Sequence, residues 1–319
     1  MPLKPIAMYP AYRFGTSTPW GGKGLKEMYK KPIPDDRTGE ALEVSCIPGL
    51  CSRDETGREL PELIARYGAA LTGSEVHSPF PLLLKLLDAR DTLSVQVHPD
   101  DDYAARVEGK LGKTEAWVIL HAQEGAELVY GVIPGCTKEA LHDASVAGSE
   151  VEKYLRRVKV KAGETYYIPS GMVHAIGQGI MLYEIQQSSD VTYRFYDWER
   201  TDKQGNKRQL HLDKALDVTD LSLCPDAVIP CVLSDDETGL HERILDEKYF
   251  GLDRYTRCNG MVIHPDRRRF AILTALADGE MTVGGENIAI PAGQTYLMPA
   301  EGEDVYLKGD MYLLAYPTV

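Results

Sequence analysis

No run of about 18 consecutive apolar residues occurs in the chain, so no transmembrane helix is expected. The opening residues, MPLKPIAMYPAYRF, are broken by three prolines and lack the apolar core of a secretory signal. Cysteine is sparse and unpatterned. Residues Cys46, Cys51, Cys136, Cys224, Cys231 and Cys258 form no C-x-x-C pair, which argues against a disulfide framework and a thiolate zinc site. They read as reduced thiols of a cytoplasmic protein. Positive charge is also short, with 35 Lys and Arg against 48 Asp and Glu and a net charge of -13. Such a chain repels nucleic acid and anionic membranes, so neither is expected as a partner. A phosphorylated ligand would be repelled too, unless a local group of cations overrides the global field.

What remains is a 319-residue chain, 43% hydrophobic and 26% charged, as expected of a soluble globular protein of one large domain or two ordinary ones. Short β-type runs dominate it: PFPLLLKLL, TLSVQVH, TEAWVIL, AELVYGVI, RVKVKAG, TYYIP, IMLYEIQQ and VTYRFYDW, punctuated by Gly, Pro, Asp or Ser. This spacing predicts an antiparallel sandwich or barrel rather than alternating strands and helices. Helical spacing is confined to residues 58–71, to about 137–157 with Thr137 as its N-cap, to a segment from Tyr103 capped by the Asp run, and to 208–218. Residues 219–247 carry little pattern. From Phe250 short strands and glycine turns return, and NIAIPAGQTYLMPAEG echoes KVKAGETYYIPSGMVHAIG without its histidine. We therefore divide the chain into a larger domain over 1–235 and a smaller β-domain over 236–319.

Three segments carry chemistry. In SVQVHPDDDYA, Gln96 and His98 are two apart on a strand and share a face. In GKTEAWVIL, Lys113, Glu115 and Trp117 share a face by the same parity. In YYIPSGMVHAIG, His174 follows a Pro-Ser-Gly turn. Two imidazoles, a carboxylate and an amide oxygen suit a borderline divalent ion, zinc above all. A single histidine in a β-protein is more often an ordinary hydrogen-bonded residue than a ligand, and parity alone does not assemble the set.

QVHPDD, GKTEAW, PSGMVHAIG and LYEIQQSSDVTYRFYDW, in this order, resemble the signature of type I phosphomannose isomerases. PWGGKGL and GEALEVSCIPG resemble the opening of that family, with Leu42 where Trp is common. The resemblance runs from about residue 10 to 200. It implies a mainly β fold: a cupin, or double-stranded β-helix, with helical insertions and a second, smaller jelly-roll-like domain. It implies zinc-dependent interconversion of mannose 6-phosphate and fructose 6-phosphate through an enediolate, with one zinc per chain held by Gln96, His98, Glu115 and His174. The family's active-site arginine falls on Arg194, its lysine on Lys113 and its acidic residue on Glu184. The residues after His174 are Ala175, Ile176 and Gly177, where longer members often carry a tyrosine.

Lys113 and Glu184 are both candidates for the proton-transfer base, and Glu184 is alternatively an ion-pair partner of Arg194. Arg194 shares strand parity with Thr192 and Tyr196, so a regular strand would turn all three one way. The His264-Pro265-Asp266 triplet reads as a coincidence or a relic of duplication, and Arg267 to Arg269 as a solvated turn. The rival readings are an iron-dependent cupin of oxygen chemistry and a non-catalytic sugar-phosphate-binding module.

Overall fold

The computed structural model describes residues 2–202 and 204–318, and among them antiparallel sheet predominates. The first twelve strands are β1 (Ile6–Met8), β2 (Ala11–Phe14), β3 (Thr38–Val44), β4 (Leu82–Ala89), β5 (Val95–Val97), β6 (Glu115–Ala122), β7 (Glu127–Val132), β8 (Leu155–Lys159), β9 (Thr165–Ile168), β10 (His174–Ile176), β11 (Ile180–Gln187) and β12 (Tyr193–Tyr196). Strands β2-β3-β4-β11-β6-β9 form a six-stranded sheet, and β12-β5-β10-β7-β8 a five-stranded one. Trp20, Leu87, Trp117, Tyr130, Tyr166 and Leu182 fill an apolar core drawn from both sheets.

The eight later strands are β13 (Cys231–Asp236), β14 (Gly239–Asp246), β15 (Phe250–Ile263), β16 (Ala271–Ala275), β17 (Gly279–Val283), β18 (Glu286–Ile290), β19 (Thr295–Met298) and β20 (Val305–Pro317). They share one sheet, which β1 joins by pairing with β19. The poorly patterned stretch before Phe250 thus contains β13 and β14. The segment from Phe250 opens with a long strand, β15, rather than a short one.

The six-stranded sheet is covered on both faces. Leu82, Leu84 and Leu86 of β4 and Tyr183 and Ile185 of β11 pack into a cluster shared with Phe250, Ile272, Leu297 and Leu313 of the later strands. Double coverage explains why PLLLKLL and IMLYEI read as nearly continuous apolar runs instead of alternating ones. Lys85 and Glu184 are the charged residues buried within those two runs.

Helices cover the outer face of the five-stranded sheet. These are the helices Lys138–Val146 and Leu212–Val218, whose Leu141, Ala144 and Ala215 pack with Val95, Val97 and Phe195. Thr137 caps the first of them as expected, its side chain accepting from Ala140 N. The helix expected from Tyr103 starts two residues earlier, at Asp101, because Asp100 is the cap and accepts from Tyr103 N at 2.8 Å. Strand β10, which carries His174 directly after a turn, had no separate signal in the sequence.

Candidate metal centre and active site

One register row organises the five-stranded sheet. Arg194 of β12 lies opposite Gln96 of β5, Gln96 opposite His174 of β10, and His174 opposite Tyr130 of β7. Directly paired antiparallel residues project from the same face with Cβ atoms about 5 Å apart. His98 follows two residues after Gln96. From the facing sheet, Glu115 enters at the start of β6. The potential ligand atoms of His98, Glu115 and His174 all lie within 4.8 Å of one another, and all three residues are buried.

Both imidazoles are fixed from behind. His98 Nδ1 is 2.9 Å from Val191 O, and His174 Nδ1 is 2.8 Å from Met172 O. A carbonyl only accepts, so Nδ1 carries the proton and Nε2 presents its lone pair to the centre. Burial, with the Lys113 charge second, holds both rings neutral; His98 is pushed well below the usual histidine range and His174 to about 3. His98 Nε2 lies 3.6 Å and His174 Nε2 3.4 Å from the two Glu115 oxygens. Gln96 completes the row with its terminal amide 3.3 Å from His174 Nε2. A half-turn of that amide exchanges its nitrogen and oxygen without changing its shape.

The donor set asks for a cation. Glu115 is fully buried, and its Oε1 has no hydrogen-bond partner. A buried carboxylate oxygen left unpaired is costly. Burial raises the Glu115 carboxyl to about 7 despite the opposing charge of Lys113. Two neutral imidazoles, a carboxylate and an amide fit a divalent ion of zinc's ligand preferences. Lys113 is buried here. It donates to Glu115 Oε2 and lies 2.9 Å from His98 Nε2.

Glu184 pairs with Lys85 at 2.8 Å, not with Arg194. Trp117 Nε1 donates to its other oxygen at 2.9 Å. All three lie in one row, Trp117 opposite Glu184 and Glu184 opposite Lys85. Burial would raise the Glu184 carboxyl, but Lys85 and Lys113 reverse the effect and lower it to about 2. Lys85 was not singled out in the sequence, although a lone lysine inside LLLKLL was a signal. A buried ammonium needs a partner.

Arg194 faces the same cavity as Thr192. Tyr196 does not, contrary to strand parity. The pairing of β12 with β5 shifts register between Arg194 and Tyr196, so Tyr196 lies opposite Val95 and packs in the outer cluster. One extra residue in a ladder reverses the faces beyond it.

The cavity presents Arg13, Lys85, Lys113, Arg194 and Arg208, against Glu40, Glu184 and Asp190. This cationic excess meets the requirement that an acidic chain sets for an anionic ligand. His264 is remote from these residues, exposed and bonded to Asp304 at 2.9 Å. No helix among the described residues is long and apolar enough to cross a membrane.

A family profile described as "Phosphomannose isomerase type I, catalytic domain" matches residues 16–125. The mannose-6-phosphate isomerase of Streptococcus mutans is 40% identical over 301 residues, covering 93% of each chain. A mannose-6-phosphate isomerase of Bacillus subtilis is 35% identical over 329 residues, covering 99% of this chain and 94% of the relative. The crystal structure of the mannose 6-phosphate isomerase from Bacillus subtilis superposes with a TM-score of 0.90 at 31% identity, over 98% of this chain and 99% of that one. The shared architecture is a cupin fold, as the sequence resemblance implied and in keeping with the antiparallel β-structure expected from the strand pattern.

Proposed function

The chain belongs to the phosphomannose isomerase type I family, and on that premise we propose that it interconverts D-mannose 6-phosphate and D-fructose 6-phosphate through an enediolate, with one zinc ion per chain. Gln96, His98, Glu115 and His174 would hold the ion. The observation that carries this reading is the unpartnered, buried Oε1 of Glu115, 3.4 Å from His174 Nε2 and clustered with a ligand atom of His98. Bound zinc would supply Lewis acidity for the negative charge that develops on the sugar oxygens.

The chain's own groups divide the remaining work. Lys113 reaches the centre and is one candidate to carry the proton between the two sugar carbons; Glu184 is the other. The tie of Glu184 to Lys85 and Trp117 makes it the weaker base, while Lys113 can accept a proton only after its ammonium, paired here with Glu115, has released one. Arg194 makes no ion pair among the described residues, so its fork is free for a substrate oxyanion. The functional residues all fall within 1–235, and we assign the β-domain over 236–319 a supporting role without chemistry. The absence of a C-x-x-C pair and the six free thiols support a cytoplasmic setting.

A ligand set with Gln96 beside Lys113 and Arg194 disfavours an iron-dependent oxygen chemistry, which uses an open triad of two histidines and a carboxylate. A passive binding module would not require Lys113 and Glu184. The test is a coupled assay on mannose 6-phosphate before chelation, after chelation and after zinc is restored. Turnover that is lost and then regained is the expected result. No turnover by the zinc-loaded protein, or full turnover after exhaustive chelation, overturns the reading.

A further inference from the structure

The segment that carries Lys113 is held from outside the cavity, by a chain of bonds that ends in the β-domain. Asp101 is the first residue of the helix Asp101–Glu108. Its Oδ1 accepts from Gly112 N and from Gln187 Nε2, both at 2.9 Å, and its Oδ2 accepts from Tyr249 Oη at 2.7 Å. The buried Gln187 turns its own oxygen to Thr114 N at 2.9 Å. Between these two amides, Lys113 N donates to Pro99 O at 3.0 Å. The backbone N–H groups of Gly112, Lys113 and Thr114 are therefore all bonded. Asp101 holds the first directly and the third through Gln187. The approach is close: a Cβ on Gly112 would lie 2.6 Å from the Asp100 carbonyl carbon and from Asp101 N, so the position needs glycine.

Tyr249 is the distant member, 148 residues from Asp101, in the turn between β14 and β15. That turn is fixed in its own right. Thr318 Oγ1 donates to Glu247 O at 2.9 Å and to Lys248 O at 2.6 Å. Lys248 Nζ donates to Tyr249 Oη at 3.0 Å. An ammonium only donates, so the phenol proton is left for Asp101. Burial pushes the Asp101 carboxyl up, but the bonds from Tyr249, Gly112 and Gln187 outweigh it and hold the group below the usual carboxylate range. An ionised acceptor makes these bonds charge-assisted, and so stronger than neutral ones. Asp101 is half-buried, so without the phenol its Oδ2 can turn to water.

We propose that Tyr249, acting through Asp101, is a positioning residue: it fixes the backbone of Lys113 and so aims the Lys113 ammonium at the metal centre. This role rests on the isomerase reading, in which Lys113 works at the reacting end. Lys113 touches Glu115 and His98, so a shift of its backbone moves the ammonium relative to both. Misplacement of a catalytic group by about 1 Å can cost about a hundredfold in rate. Tyr249 does not line the cavity, so contact with the substrate is not its route of action. The β-domain then contributes orientation, and no chemistry, to the site.

The test compares zinc-loaded, full-length wild type with Tyr249→Phe, which removes one hydroxyl and keeps the ring. Loss of one bond among the several that hold the segment predicts turnover lowered about three- to tenfold. The Michaelis constant for mannose 6-phosphate and the zinc content should stay at wild-type values. Hydrogen–deuterium exchange of the peptide spanning 109–115 should quicken. In the Lys113→Met background, Tyr249→Phe should lower the residual turnover no further, as expected of residues that act as a unit. Where Tyr249→Phe fails to fold, Asp101→Asn offers one acceptor oxygen in place of two, and the same fall in turnover is expected. Wild-type turnover in a folded Tyr249→Phe, or an equal loss in the Lys113→Met background, would overturn the positioning role and leave the isomerase reading standing. No turnover by zinc-loaded wild type would overturn that reading, and the exchange of residues 109–115 would still decide whether Tyr249 holds the segment.

Discussion

Arg194 lies directly opposite Gln96 in the pairing of β12 with β5, and among the described residues its guanidinium has no carboxylate partner within ion-pairing distance. The strand that carries Gln96 thus has a free cation as its neighbour. Arg194→Lys keeps the charge and loses the fork. If the fork grips charge that develops at the reacting carbons, turnover should fall about a hundredfold with a much smaller rise in the Michaelis constant. Near-normal values of both constants in Arg194→Ala would remove Arg194 from the site.

His98→Ala should lose metal and turnover together. The variant leaves one imidazole, one carboxylate and one amide, a set that binds zinc poorly. Elemental analysis after dialysis is the check, and stoichiometric zinc in the folded variant would refute the ligand assignment.

Lys113→Met should keep its zinc and lose turnover by about a hundredfold or more, the range for removing a general base. Metal content separates this outcome from that of a ligand. Exchange of the C2 proton with deuterated solvent should fall in parallel. A variant that turns over normally would pass the role to Glu184.

Glu184 couples stability to pH through its buried pair with Lys85. Its folded carboxyl titrates near 2, below the unfolded value of about 4.3. A depressed folded value means that its stabilisation is complete above the unfolded value and disappears as pH falls toward 2. Glu184→Gln should therefore cost about 3–5 kcal/mol at pH 7, the scale for breaking a buried ion pair. The gap to wild type in urea melts of metal-free protein should narrow as the pH is lowered below 4.3. A gap that stays constant with pH would show that the pair is not the cause.

His264→Asn should leave turnover within a few-fold of wild type. His264 is exposed, bonds Asp304 alone among the described residues, and does not line the cavity that holds Lys113 and Arg194. A loss approaching a hundredfold in a folded variant would mean that the His264-Pro265-Asp266 triplet is more than a relic.

Strand-rich character and the same-face pairing of Gln96 with His98 were legible in the sequence, because each depends on spacing within one element. Double burial of β4 and β11 was half legible: the runs read as apolar, but period-two reasoning does not reveal what covers each face. What the chain order left undetermined were the relations between strands. The register that sets Arg194, Gln96 and His174 in one row, the slip that turns Tyr196 outward, and the pairing of Glu184 with Lys85 rather than Arg194 depend on which strands meet and at what offset. Asp197 and Arg208 lie eleven positions apart, joined through a left-handed turn that Trp198 and Glu199 do not favour locally. Local propensity encodes faces along a strand, whereas the charge balance of a buried site is set by neighbours distant in sequence, and only the packed chain brings them within a few ångströms.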